Sequence, residues 1–396
     1  MIDLVVIGGG AAGMFAAIQA KTAHPEASVV LLEKSAVLLA KVRVSGGGRC
    51  NVTHACFEPR KLVEFYPRGS KELLGAFHRF SPRQTVDWFE ARGVKLKVEA
   101  DGRMFPVSDC SETIIEALVG EAKRVGVEIR TLQRVKRIMK GFSIGFQDGK
   151  VLECKRLILA TGSGKDGYLW AEGLGHTIVP PVPSLFTFNV PLFALQELSG
   201  VSVAEARLSL AGTRHSQTGP LLITHFGFSG PAALKLSAWA ARDLFEREYK
   251  ADLFVDWLPG ISVEEMYGRL VDLKGATPQR SLLAENPFRL PKQLWKTLFS
   301  NPRRLGDLSL KDLRHLASKL HSDSYRVEGK TTNKEEFVTC GGVERREVDF
   351  RSMESKVCPH LFFAGEILDV DGLTGGFNFQ NAWTTGYLAG RASLGL

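Results

Sequence analysis

A glycine-rich stretch near the amino terminus has the spacing G-x-G-x-x-G, which occurs where a protein backbone approaches a phosphate. Gly8 allows a sharp turn, Gly10 lets a pyrophosphate reach the backbone, and Gly13 lets a helix pack closely on a strand. Free amides at the start of that helix, including those of Ala11 and Ala12, would face the anion. The predicted ligand of this stretch is therefore a dinucleotide.

The elements around this stretch are those of a βαβ unit. An apolar run at 4–7 precedes the glycines, small residues at 14–20 favour a helix, and a second apolar run at 29–32 ends at Glu33. An acid in this place can accept hydrogen bonds from ribose hydroxyls, and we include the adjacent Lys34 in the predicted site. A glycine-rich turn alone is often only a turn, but strand, glycines, helix, strand and acid in this order predict dinucleotide binding.

A second glycine-rich loop follows the acidic strand end. Three consecutive glycines lie between basic residues, so backbone amides and positive charge occur together. Lys41 and Arg49 could meet phosphate or the electron-rich carbonyl groups of a flavin. The alternative is a mobile loop with solvated charges, and the position of the loop favours a binding role. The predicted contacts here are Lys41, Ser45, Gly46, Gly47, Arg49, Cys50 and Asn51.

The carboxyl-terminal segment again has the residue types of a cofactor site. An apolar strand at 361–364 precedes Glu366, which could hold a ribityl hydroxyl, and a glycine-rich turn then precedes a helix. Free amides at the helix start could stabilise negative charge on the N1–C2=O edge of a reduced flavin. The alternative is a tightly packed helix, since Ala382, Gly386 and Gly390 share one face. The predicted contacts here are Gly365, Glu366, Asp371, Gly372, Gly376, Phe377, Asn378 and Gln380.

Another apolar strand, at 157–160, leads into Ala160, Thr161 and Gly162, which we predict to touch the same cofactor. Residues 162–167 also fit G-x-G-x-x-G. We do not predict a second, NAD(P)-binding fold here, because Lys-Asp is a poor start for a tightly packed helix. In addition, no strand ending in an acid follows at the required distance.

The composition is that of an ordinary globular protein, with 44% hydrophobic and 24% charged residues. A chain of 396 residues is expected to form two or three domains. The first strand begins almost at residue 1, which leaves no room for a leader peptide, and no apolar run is long enough to span a bilayer. The six cysteines contain no C-x-x-C pair, so we expect a cytoplasmic location and no metal site. The net charge of +8 favours anionic partners without choosing among cofactor, acidic substrate and nucleic acid.

The middle of the chain has a different pattern. Prolines at 180–183 mark a boundary, short strands between 187 and 257 suggest a small barrel or sandwich, and 260–321 is predicted to be helical. His225 is a candidate acid or base, although a lone histidine is more often structural.

Five stretches in this order resemble the bacterial flavoprotein family known as HI0933-like, or BaiN-like, NAD(P)/FAD-dependent oxidoreductases. They are residues 5–33, 45–51, 102–106, 225–231 and 365–380. The resemblance implies an α/β fold with tightly held, non-covalent FAD, and Val135 is included among the predicted cofactor contacts. It implies a Rossmann-like FAD-binding domain interrupted by an inserted β-barrel and helical region. The predicted boundaries are 1–188 with 326–396 for the FAD domain, 189–258 for the barrel, and 259–325 for the helical part.

The predicted function is an FAD-dependent oxidoreductase that takes hydride from NAD(P)H and passes it to a small organic acceptor. Reduction of enone-type double bonds in steroid or bile-acid-like substrates has been attributed to part of the family. Cys50 and His225 are the candidate proton donors. One alternative is a flavoprotein that modifies tRNA, which the positive charge favours although no RNA-binding module is recognised. The other is a non-enzymatic flavin carrier. We expect a small-molecule substrate, and neither a nucleic acid nor a membrane as partner.

Overall fold

The computed structural model describes residues 1–191, 194–299, 302–332 and 338–395. The strands in these ranges are β1 (Ile2–Ile7), β2 (Val29–Leu32), β3 (Thr53–His54), β4 (Leu96–Val98), β5 (Arg103–Pro106), β6 (Glu128–Arg130), β7 (Val135–Met139), β8 (Ser143–Phe146), β9 (Val151–Leu159), β10 (Ile178–Ser184), β11 (Thr187–Asn189), β12 (Ser202–Leu210), β13 (Ser216–Thr224), β14 (Gly227–Ser229), β15 (Lys250–Asp256), β16 (Asp323–Glu328), β17 (Lys330–Thr331), β18 (Val338–Val343), β19 (Val348–Asp349), β20 (Glu354–Ser355) and β21 (Leu361–Phe363).

The α-helices in the same ranges are α1 (Ala11–Ala23), α2 (Ala40–Gly48), α3 (Pro59–Leu62), α4 (Ser70–Arg79), α5 (Pro82–Glu90), α6 (Ser111–Val125), α7 (Lys165–Gly173), α8 (Pro231–Trp239), α9 (Ala241–Glu246), α10 (Val263–Ala276), α11 (Lys292–Leu298), α12 (Leu310–His321) and α13 (Phe377–Ala392). Among the described residues, no helix combines the length and the hydropathy needed to cross a membrane.

The chain divides into two compact units, one formed by Met1–Val182 with Val338–Leu396 and the other by Pro183–Phe337. The first unit contains a nine-stranded sheet whose main path runs β19-β20-β21-β9-β1-β2-β6, with β7 and β8 joined to it through β9. The strands from β21 to β6 on this path are parallel, and Val5 of β1 lies between Val30 of β2 and Leu157 of β9. Parallel strands are buried on both faces, which explains why β1, β2 and the end of β9 are continuous apolar runs.

Helix α13 packs against α1 at very short range. A Cβ atom at Gly386 would lie 2.7 Å from the Ala12 carbonyl oxygen, and one at Gly390 would lie 2.3 Å from that of Ala16. The shared face of small residues therefore allows the close approach of another backbone, as the alternative of a tightly packed helix predicted.

The chain after Gly162 departs from the prediction in one respect. Helix α7 does begin at Lys165, so the view that Lys-Asp would start a helix poorly is wrong. Gly164, the N-cap of α7, has an extended backbone. The negative charge of Asp166 in the first turn interacts favourably with the positive end of the helix dipole. The strand that follows, β10, pairs with β18 and does not join the nine-stranded sheet, so no second dinucleotide-binding βαβ unit is built here.

The second unit has a seven-stranded sheet in the order β16-β15-β12-β13-β14-β11-β17. The expected barrel is not confirmed, because this hydrogen-bonded order is open: among the described residues, its end strands β16 and β17 do not pair with each other. Helices α10, α11 and α12 share one hydrophobic core with the strands through residues such as Met266, Trp295 and Leu313. Leu310, the first residue of α12, is 56% exposed and lies outside this core.

Candidate cofactor site

The glycine loop between β1 and α1 shows two kinds of glycine. A Cβ atom at Gly8 would lie 2.3 Å from the Ala160 carbonyl oxygen, and one at Gly13 would lie 2.0 Å from that of Gly8, so both positions require close backbone contact. Gly8 also has a φ of 114°, which disfavours other residues. A Cβ atom at Gly10 would have nothing within 4 Å. Gly8 and Gly13 thus have packing roles, whereas Gly10 and the following amides of Ala11 and Ala12 border open space.

Glu33 is held at the edge of this loop by two backbone amides. Gly9 N–H donates to its Oε2 and Ser35 N–H donates to its Oε1, both at 2.8 Å. The Gln133 amide donates to the Glu33 carbonyl at 2.9 Å, so the segment leading to Val135 runs beside the same acid. Each carboxylate oxygen retains further acceptor capacity, which ribose hydroxyls could use. Lys34, next in the chain, is exposed.

The second glycine loop is a kinked helix end whose cations already have partners. Within α2, Ser45, Gly46 and Gly47 leave the helical conformation, and a Cβ atom at Gly47 would have nothing within 4 Å. The Arg49 guanidinium pairs with Glu99 at 2.6 Å, and Lys41 pairs with the carboxylate of Glu366. A cofactor would therefore meet an organised ion pair at Lys41, and the Arg49 side chain is directed to Glu99.

Cys50 and Asn51 follow this loop and lie inside the unit. Burial raises the pKa of the Cys50 thiol to about 12, so it stays protonated at neutral pH and is not a thiolate nucleophile. The side-chain amide of Asn51, oriented by its neighbours, accepts from Gly376 N–H at 2.9 Å and donates to the Thr53 carbonyl at 3.0 Å. Asn51 thereby joins the second glycine loop to the turn before α13.

The carboxyl ends of β9 and β21 bring two further predicted segments together. Phe363 of β21 pairs with Leu159 of β9, so Gly162 and Glu366 follow adjacent strands. A Cβ atom at Gly162 would lie 3.7 Å from Oε2 of Glu366, and Thr339 N–H donates to Oε1 of the same carboxylate at 3.2 Å. Ala160 and Gly365 continue the same two strands. Thr161 packs against Gly167 of α7, where a Cβ atom would lie 1.8 Å from its hydroxyl oxygen.

Three predicted contacts near α13 use their side chains to hold the protein together. Asp371 is fully buried and receives the Arg68 guanidinium, with Nε 2.5 Å from Oδ1. The Asn378 amide makes two hydrogen bonds of 2.8 Å to the backbone of Gly372. Gln380 is fully buried and accepts from the hydroxyls of two threonines. Each of these three side chains therefore has a protein partner in the structure. Their contact with a cofactor stays a prediction.

Sequence reasoning did not single out the aromatic stack beside this turn. The His54 ring lies 4.7 Å from the ring of Phe377, and Phe65 lies 4.3 Å from Phe377 on a nearly parallel plane. Burial lowers the pKa of His54, so the ring favours its neutral form. The only signal for His54 was its position three residues after Asn51, and Phe65 had none because its partners are distant in the chain.

Two helix starts in this unit are suited to anions. Among the described residues no side chain caps α1 or α13, and neither helix has an acid in its first turn. Free amides and the positive end of the dipole thus remain at both starts, where they suit a pyrophosphate and a flavin carbonyl edge. With the open space at Gly10 and Gly47, these features fit FAD. His225 belongs to the other unit, where it is exposed in the turn between β13 and β14.

The family model described as HI0933-like protein Rossmann domain matches residues 2–392. The chain belongs to this family. The predicted resemblance is therefore confirmed, and the HI0933-like chain is a flavoprotein and an FAD-dependent oxidoreductase.

Two relatives of this HI0933-like chain align over almost their whole length. The ribosomal RNA dihydrouridine synthase of Escherichia coli is 31% identical, covering 97% of this chain and 96% of the relative. The 3-dehydro-bile acid delta(4,6)-reductase of Clostridium scindens is 31% identical, covering 98% of each. A 3-ketosteroid-delta4-(5alpha)-dehydrogenase from Rhodococcus jostii has a similar fold, with a TM-score of 0.53 at 16% identity over 100% of this chain and 97% of that one.

Proposed function

We propose that this HI0933-like protein reduces a carbon–carbon double bond conjugated to a carbonyl group, with NAD(P)H as electron donor. In the overall reaction NAD(P)H gives two electrons and a proton as hydride, and a second proton comes from solvent. Both hydrogens add across the double bond, and NAD(P)⁺ and the saturated product are released. Bound FAD supplies the two-electron carrier between donor and acceptor.

The observation that carries the proposal is the chemistry shared by the two relatives. A delta(4,6)-reductase of a 3-dehydro bile acid saturates a double bond conjugated to a ketone. Dihydrouridine differs from uridine by hydrogenation of the ring double bond next to a carbonyl. The two substrates differ greatly in size and charge, so the common element is the conjugated double bond.

The residues of the first unit divide the binding of FAD among them. Gly10 and the amides at the start of α1 would receive the pyrophosphate, and Glu33 would accept from the adenosine ribose. The Lys41–Glu366 pair would receive the ribityl hydroxyls, and the start of α13 at Gly376 would meet the flavin carbonyl edge. These assignments agree with the open space at Gly10 and with the lack of a side-chain cap at the starts of α1 and α13 among the described residues.

The test is an anaerobic titration of the FAD-loaded protein, followed through the visible absorbance of the flavin. We expect NADH or NADPH to bleach the absorbance, and a conjugated enone, tested first as a steroid 4-en-3-one and then as uridine in RNA, to restore it. The same steroid with a saturated ring is the matched control and should restore nothing.

Two results would contradict the proposal. Flavin that stays oxidised with both nicotinamides would remove NAD(P)H as the donor. Reduced flavin that neither conjugated substrate reoxidises would exclude the reductase activity and favour a non-enzymatic flavin carrier.

A further inference from the structure

The second unit contains a cavity at one end of its sheet. The cavity has a volume of about 300 Å³, which is at the small end of the range for ligand pockets. Among the described residues, its lining comes from the loop after β11, the end of α11, the last turns of α12 and the strand β16. All of these elements belong to the second unit. A cavity of this size has room for a small organic molecule.

Part of the lining is apolar. Val190 and Leu195 of the loop after β11 and Leu298 of α11 line the cavity, and all three are buried. Pro191 and Ala194 add exposed apolar atoms to the same lining. A hydrocarbon group placed against these side chains is removed from water, and this favours ligands with an apolar side chain.

The lining also contains a lysine without a carboxylate partner. Lys319 is half-buried, and its Nζ donates to the Leu298 carbonyl at 3.0 Å. No carboxylate of the described residues lies within ion-pairing distance of this ammonium group. Because a lysine ammonium has three N–H donors, further donors remain for a ligand. A carboxylate in the cavity would supply the missing negative charge.

A buried carboxylate lines the same cavity. Asp323 is 8% exposed, and its Oδ2 accepts from Trp257 Nε1 at 3.1 Å and from the Tyr325 hydroxyl at 2.6 Å. Burial raises the pKa of the Tyr325 hydroxyl, and the neighbouring carboxylate raises it further, so the phenol keeps its proton and is the donor. Both donors are neutral. They fix the position of the carboxylate and leave its negative charge for a cationic group.

The two charges of the lining are separate. Lys319 and Asp323 form no ion pair with each other, and Arg326, the other cation of the lining, pairs with Asp252 at 3.0 Å. A ligand with a single charge would leave the opposite charge of the cavity unmatched and shielded from water, which is unfavourable. A dipolar ligand matches both charges.

The strand that carries Asp323 adds backbone groups to the site. Residues 323–326 are consecutive in β16 and all line the cavity, so the cavity meets the edge of the strand as well as its side chains. In the part of the chain that the structure describes, β16 is an end strand of the sheet and pairs with β15 alone. The amides and carbonyls of its other edge are suited to the two charged ends of a dipolar ligand.

We propose that this cavity binds a free α-amino acid with an apolar side chain, of the size of leucine or phenylalanine. The carboxylate of the ligand pairs with Lys319, and its ammonium group pairs with Asp323. Its side chain lies against Leu195 and Leu298. The inference goes beyond the proposed reductase and does not depend on it, because the residues of the cofactor site belong to the first unit.

The test is calorimetric titration of the full-length, FAD-loaded protein with three ligands. L-leucine carries both charges, isocaproate has the same carbon skeleton without the ammonium group, and isopentylamine has it without the carboxylate. We expect leucine to bind at least about tenfold more tightly than either analogue, since each charge makes its own hydrogen-bonded pair. L-phenylalanine should bind in the same way as leucine.

Two variants separate the two charges of the site. Lys319→Gln should weaken leucine about tenfold and leave isopentylamine unchanged, because that amine has no carboxylate to lose a partner. Asp323→Asn keeps an oxygen for Trp257 and Tyr325, and it should weaken leucine about tenfold while leaving isocaproate unchanged. Lys292→Gln removes an exposed lysine of the same unit outside the cavity and should bind leucine as the unmodified protein does.

Circular dichroism and flavin absorbance verify that each variant is folded and loaded. A folding defect would weaken all three ligands together, so the expected pattern of one ligand lost and one retained is specific to the site. Three results would overturn the inference. They are no binding of leucine or phenylalanine at millimolar concentrations, analogues that bind as tightly as leucine, and an equal loss of leucine binding in Lys292→Gln and Lys319→Gln.

Discussion

The cofactor site of the first unit and the segment 289–319 of the second use charge in opposite ways. Around the site, Lys41 pairs with Glu366, Arg49 with Glu99, and Arg68 with Asp371. Among the described residues of 289–319, the four exposed cations Arg289, Lys292, Lys296 and Lys311 have no carboxylate within ion-pairing distance. Paired charges hold loops in place before a ligand arrives and leave the binding of anions to amides and helix dipoles. Exposed charges without a carboxylate partner interact with water and counterions instead.

The largest effect is expected from breaking the buried Arg68–Asp371 ion pair of the first unit. Asp371→Asn keeps the shape of the side chain but removes the negative charge that faces the Arg68 guanidinium, which is only 13% exposed. The free energy of unfolding should fall by about 3–5 kcal/mol, measured by denaturant titration. Glu128→Gln breaks the exposed pair with Arg130 and is the control, with an expected loss below about 1 kcal/mol. Equal effects of the two substitutions would show that the buried pair has no special role.

The next effect separates packing glycines from the glycine at the open space. Gly13→Ala places a methyl group 2.0 Å from the Gly8 carbonyl oxygen, so the protein without FAD should lose about 1–3 kcal/mol of stability. Gly10→Ala has room for its methyl group and should leave that stability unchanged, while FAD affinity falls about tenfold, or about 1.4 kcal/mol. Thermal unfolding without FAD and fluorescence titration with FAD measure the two quantities. Unchanged FAD affinity in Gly10→Ala would exclude the pyrophosphate from this position.

The smallest effect concerns an exposed ion pair of the second unit. Glu264→Gln breaks the pair with Arg314, in which both side chains are exposed, and the free energy of unfolding should fall by less than about 1 kcal/mol. The same denaturant titration measures the change. A loss as large as that of Asp371→Asn would contradict the distinction between buried and exposed charges.

Much of the first unit could be predicted from local sequence. The order of apolar strand, glycines, helix, strand and Glu33 has one compact solution, a parallel βαβ unit, because each step depends on neighbours a few residues away. The start of α7 at Lys165 was missed, since a helix N-cap by Gly164 gives only a weak signal in sequence. The barrel was expected from short alternating strands, but alternation shows only that strands have two faces and does not show whether their sheet closes.

The sequence alone determined the family and the dinucleotide-binding motif, because these depend on residue types and short spacings. Only the tertiary structure decided which charges are paired. Lys41 and Glu366 are 325 positions apart, and Arg49 and Glu99 are 50 apart. They meet because the sheet order places the ends of distant strands side by side, and no local pattern records that order.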